Sequence, residues 1–227
     1  MTPGVDPDGR WLYRVGGISA LVLGVAYLVI FPMYASVGAP PTVSDGEVWL
    51  RYFAGKTTVW WAILGLSVLT DVLFVPVALS LYLALKGLHR NAMLVATALV
   101  GLFVALDLAV TWTHYASLLT LSANYVAAAS DVQRAPYIAA ASYASAMLTS
   151  RLLVVYAIVI LSTAFLVIGL VMLKGIFNRT TAHLAVATGI LGIVSIGGYG
   201  VTIILNALGA TIWILIVGYR LCRLARQ

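Results

Sequence analysis

"TVWWAILGLSVLTDVLFVPVALSLYLAL", residues 58–85, holds a single charged side chain, Asp71. A helix needs about 20 mainly apolar residues to cross a bilayer, and this run exceeds that length. It therefore reads as a membrane helix, and the same reading applies on both sides of it. Residues 12–34, 92–116, 151–173, 180–200 and 203–221 are the other candidates. The whole chain agrees: of 227 residues 63% are hydrophobic and 9% charged, with a mean hydropathy of +1.05, outside the range of soluble globular proteins. The predicted fold is all-α, a polytopic membrane bundle of six transmembrane helices formed by residues 11–227. A polar, Pro/Gly-rich tail, residues 1–10, is expected to be disordered. The last two helices share the apolar stretch Leu184–Val217, which is too long for one crossing. A tight turn is expected between Gly197 and Gly209, where "GGYG", Asn206 and Gly209 interrupt it.

Orientation follows from Lys and Arg near helix ends. Arg10, Arg14, Lys86, Arg90, Lys174, Arg179, Arg220, Arg223 and Arg226 all fall on one side of the six-helix arrangement. Both termini are thus predicted to be cytoplasmic, in a plasma (inner) membrane. The net charge of +6 is spread along these helix edges instead of forming one patch, so nucleic acid is not an expected partner.

Two segments on the opposite side are more than linkers. In "SDGEVWLRYF", Ser44 and Glu47 have capping-box spacing, and Trp49, Tyr52 and Phe53 then share a face; an interfacial helix over residues 44–54 is predicted, its aromatics at headgroup level. Residues 122–150 are rich in Ala and Ser, helix-favouring but weakly apolar. They are expected to form a helical hairpin capping the outer mouth, with Pro136 in the first turn of its second arm. A mobile loop is the alternative.

Asp71 lies near the middle of its helix. Facing lipid there costs at least ~2.5 kcal/mol, so it is expected to turn inward. The next helix supplies Asp107, followed at helical spacing by Thr111 and His114, and Arg151 opens the fourth helix at about the depth of His114. The short "GLHR" link makes the helices carrying Asp71 and Asp107 antiparallel neighbours. A shared polar pocket of Asp71, Asp107, Thr111, His114 and Arg151 is predicted, in which the two carboxyls are expected to share a proton unless Arg151 or His114 reaches them. Pro76 removes a hydrogen bond to the Val72 carbonyl and is expected to loosen the helix beside Asp71. The competing explanation is that each Asp only bridges helices as packing glue.

Other polar residues carry less. His183 is expected at the membrane interface and Asn206 as a helix cap. Gly16, Ala20, Gly24, Gly189 and Gly192 have small-residue spacing that lets helices approach. "NRT" at Asn178 matches a glycosylation triplet on a predicted cytoplasmic loop. Cys222 stands alone, which rules out an intrachain disulfide. The three histidines, 89, 114 and 183, share no helix face, and there is no P-loop, GxSxG or HExxH. No metal, cofactor or catalytic set is expected, and a conventional enzyme is disfavoured.

Four stretches, "LYLALKGLHRNAML" (81–94), "AFLVIGLVMLKG" (164–175), "HLAVATGILGIVSIGGYG" (183–200) and "WILIVGYRLCRLAR" (213–226), resemble a bacterial family of six-span membrane proteins grouped only as a domain of unknown function. The resemblance implies a six-helix membrane fold and a bacterial plasma-membrane location, and no catalytic residues. The leading functional expectation is non-enzymatic binding or transport of a cation, proton or small amphiphile. The alternatives are an intramembrane enzyme acting on a lipid and a structural or partner-binding subunit. A lipid enzyme predicts a cavity open to the bilayer, and a scaffold predicts a dry, packed centre.

Overall fold

The structure is a computed structural model that describes residues 9–175, 177–197 and 200–226. Most of the expected N-terminal tail lies outside the described residues, as do Gly198 and Tyr199 of the expected turn. The described residues are helical, without strands. Among the described residues, five helices are long and apolar enough to cross a membrane.

α1 spans Arg10–Val37 and ends at Gly38, whose φ of 76° suits the absence of a Cβ. α2 is the short helix Gly46–Phe53. The sequence then forms a 71-residue helical stretch, Thr57–Ala127, interrupted at one backbone position, His89 (φ −158°, ψ 82°). We call its arms α3 (57–88) and α4 (90–127). The His89 side chain caps α4, its Nδ1 accepting from the Ala92 N–H at 3.2 Å. The arms run antiparallel, as their pairings show: Trp60 stacks on Tyr115 and Phe74 meets Phe103 edge to face, so partners late in α4 face residues early in α3. The link is thus tighter than the few residues expected around "GLHR". α3 also passes Pro76 without leaving helical geometry, so the expected loosening produces no break.

α5 is Asp131–Thr149, with Ser130 capping through Gln133 N. Gln133 reaches back to the Ala129 N–H, and this reciprocal pair starts the helix well before Pro136, which lies inside it and not in its first turn. α6 (Arg151–Met172) contains a π-turn at Val155–Val159. α7 (Arg179–Gly197) begins at Asn178, whose side chain accepts from Thr180 N; the "NRT" triplet thus serves as a helix cap. α8 is Gly200–Leu224, so helix resumes earlier than the predicted residue 203.

α1 packs between α3 and α8, α6 packs on the α3–α4 pair and on α7, and α7 returns to α8, closing a ring. Close approach explains the small residues. A Cβ on Gly16 would overlap Ser80, and one on Gly192 would overlap Ser162. Ser80 Oγ stands within hydrogen-bonding distance of both the Leu12 and the Pro76 carbonyls, 2.6 and 2.7 Å away.

Two apolar cores result. One joins Leu81, Leu85, Met93, Phe165 and Trp213 near the middle and the arginine-rich end of the bundle. The other, at the opposite end, joins Trp49, Phe53, Trp60, Tyr115 and Leu118 beneath α2 and α5. The aromatics of α2 thus face a protein core. Asp45, not Ser44, is the cap of α2, accepting from Val48 N, and Trp49 and Phe53 are fully buried in a ring cluster with Trp60 and Tyr115. Ser122 Oγ, donating to the Leu50 carbonyl, ties α2 to α4.

Candidate functional site

Between the two cores lies a cavity of about 270 Å³. Five of the ring helices build its wall: α1, α3, α4, α6 and α8. α3 places Asp71 there because the outward positions of this turn are taken by Val72 and Val75, so the inward face carries Ser67, Thr70, Asp71 and Phe74. Asp71 is 2% exposed. Trp112 Nε1 donates to its Oδ2 at 2.8 Å.

α4 presents Asp107, Thr111, Trp112 and Tyr115 through a local change of helix type. Asp107–Trp112 is a π-turn, and Thr113 Oγ1 closes the widened turn by donating to the Leu108 carbonyl, five residues back. The Asp107 and Asp71 carboxyls share this wall near enough to interact electrostatically, and Thr111 and Trp112 are also neighbours of Asp107. Asp107 Oδ1 and Thr111 Oγ1 are buried without a hydrogen-bond partner in the protein. Two carboxyl groups side by side in a low-dielectric site repel when both are ionised, so the pair favours taking up positive charge. Among the described residues, Tyr27 and Tyr34 from α1 and Tyr115 from α4 are the other titratable groups on the wall, with no Lys, Arg or His there.

Asp71, Asp107 and Thr111 are therefore brought together, whereas His114 and Arg151 are not on the cavity wall. The physical reason for His114 is the π-turn, which adds one residue to the turn and passes the inward position on to Tyr115. His114 instead turns its Nδ1 toward the Val110 carbonyl and its ring toward Tyr143. Arg151 is the exposed first residue of α6, and that helix stands away from the bundle at this end.

The sequence reading missed Tyr27, Phe31 and Tyr34, which line the cavity from α1. Their helical spacing is visible in the sequence, but three aromatics in a membrane helix do not say which way they face. It also missed Asn206. Far from capping a helix, its Nδ2 donates to the Thr188 carbonyl at 2.8 Å and to Ser162 Oγ at 3.2 Å, fastening α8 to α7 and α6 at the cavity edge.

No family model, curated protein or solved structure matches this chain.

The wall is uneven. No residue from 151 to 160 and none from 200 to 210 is buried, although both helices become buried immediately beyond, at Leu161 and Thr211. The first turns of α6 and α8 thus stand off the bundle, and Ala157, Ile158, Ile203 and Ala207 line the gap. The side toward α2 and α5 is closed differently, by the packed rings of Tyr34, Trp60 and Tyr115.

Proposed function

We propose that this chain is a six-span plasma-membrane protein, both termini cytoplasmic, that binds or transports a small cation or proton at the Asp71–Asp107 pair without catalysing a reaction. The crossing number rests on α3 and α4. As one straight helix, the stretch Thr57–Ala127 would be about 105 Å long, several times the ~30 Å hydrocarbon core, and it reverses at His89. Orientation rests on the arginine-rich end, which falls cytoplasmic by the positive-inside rule. α2 and α5 then lie outside, and the cavity lies in the outer half of the membrane.

The observation that carries the functional reading is the pair of buried carboxyls on a cavity wall without a basic side chain. An intramembrane acid is costly and needs a proton, a partner or a ligand. The protein supplies one Trp N–H to Asp71 and leaves an oxygen of Asp107 unpartnered. A scaffold has no use for an open space between its cores. Chemistry on a lipid would call for a headgroup clamp, and Arg151, the residue expected in that role, is exposed and is not among the residues that line the cavity. The experiment is titration of the purified protein in nanodiscs with protons, Na⁺ and K⁺, followed by tryptophan fluorescence and calorimetry. Saturable uptake that Asp107→Asn abolishes supports the reading; a response identical in wild type and the Asp71→Asn/Asp107→Asn double variant overturns it.

A further inference from the structure

The acidic cavity is also an aromatic one, and that narrows the chemistry of its occupant. Tyr27 and Phe31 from α1, Phe74 from α3, and Phe103, Trp112 and Tyr115 from α4 line the same space as the two carboxyls. A hard inorganic cation needs about six oxygen ligands to replace its water. Here hydroxyls such as those of Thr70, Thr111 and Ser162 join the two carboxyls, but most of the lining surface is carbon, much of it from the rings. Ring faces attract cations that are large and weakly hydrated, the arrangement by which proteins hold quaternary ammonium groups.

Size points the same way. About 270 Å³ is just below the ~300–1,000 Å³ of sites for drug-sized ligands and far above one dehydrated metal ion. The less buried wall does too, because on the first turns of α6 and α8 it is mainly apolar, with Ala157, Ile158, Ile203 and Ala207 beside the Asn206–Ser162 pair. That lining suits a cation with an apolar body better than a hydrated ion.

We propose that the cavity receives a small organic cation, an amine or quaternary ammonium, with Asp107 as its counter-charge and the surrounding rings as its cage. This rests on the cation reading above and adds the chemical class. Asp107 is assigned the contact because its Oδ1 is unpartnered while Trp112 already engages Asp71. The step is binding only, with no bond made or broken.

The test is calorimetric titration of the full chain in nanodiscs with tetraethylammonium and choline, with 3,3-dimethylbutanol as the uncharged counterpart of choline. Saturable binding of at least one ammonium is expected, at least tenfold tighter than the alcohol and at least tenfold weakened in Asp107→Asn. Phe31→Leu keeps the apolar volume at a half-buried wall position but removes a ring, and a severalfold loss is expected. If protons or Na⁺ titrate in an Asp107-dependent manner and neither ammonium binds, the organic-cation inference is overturned and the cation reading stands. If none of them titrates, both fall. Equal binding of choline and the alcohol, or full affinity in Asp107→Asn, also overturns the inference.

Discussion

Trp112 Nε1 and Asp71 Oδ2 are joined by a 2.8 Å hydrogen bond, and this bond fastens α4 to α3 at the level where the apolar packing between them is interrupted by the cavity. The bond exists because the π-turn Asp107–Trp112 rotates the indole inward. It is charge-assisted whenever Asp71 is ionised.

Trp112→Phe keeps the ring and removes the donor, leaving a buried oxygen short of its partner. A loss of about 1–3 kcal/mol is expected. Asp71→Asn retains an oxygen that can accept the same bond and should cost less than Trp112→Phe. Thermal unfolding of the two variants in detergent gives the order, and the reverse order would count against this bond as the main tie.

Helix approach at Gly192 makes a second prediction. A methyl there overlaps Ser162 and comes within 2.6 Å of Asn206 Nδ2, so Gly192→Ala is expected to destabilise by about 1–3 kcal/mol through overpacking. It should also disturb the Asn206 bonds at the cavity edge. Gly65→Ala meets nothing within 4 Å and should leave stability unchanged or slightly raised. Comparing the two melting temperatures checks that backbone approach, and not glycine content, is what matters.

The α2 region should weaken in acid. Hydrogen bonds from Arg51 and from the Tyr125 hydroxyl hold the Glu47 carboxyl below its ordinary value of 4.5. Since the folded value is the lower one, this contribution is complete above the unfolded value. It is lost as pH falls through the depressed folded value. Protection of the amides of Gly46–Phe53, measured as exchange relative to the intrinsic rate at each pH, should therefore fall below about pH 4.5 in the wild type. In Glu47→Gln that acid-dependent fall in protection should be absent.

Protection should extend to α5. Its Ala141, Ala144 and Leu148 are buried against the α2 core, so slow exchange over Asp131–Thr149 is expected, and uniformly fast exchange there would contradict the packing.

Topology is checked by reporters. One fused after Gln227 should read as cytoplasmic, and one inserted at the exposed Thr42 should read as external. Both on one side would exclude an odd number of crossings between them, and with it the five that the six-span arrangement places after Thr42.

The run 58–85 by itself settled that a helix of membrane length forms here, because apolar length and composition act locally and need no partner. Asp71 and Asp107 were also legible as neighbours, since a one-residue reversal at His89 leaves two adjacent helices no choice but to pack. Small residues at 16 and 192 foretold close approach, though not which helices would meet. Tertiary structure decided the rest. The phase of α4 beyond Asp107 depends on a single extra residue in one turn, which replaces His114 by Tyr115 on the cavity wall, and no pattern of residue types marks that π-turn. Arg151 and Asn206 were misjudged because their surroundings are set by how far the first turns of α6 and α8 stand from the ring. That distance follows from the summed packing of every helix and not from the residues beside them. The burial of Trp49 and Phe53 has the same origin. A short amphipathic helix reads alike whether a membrane surface or a second core covers its apolar face, and here the stacking of α2 on Trp60 and Tyr115 supplied the cover.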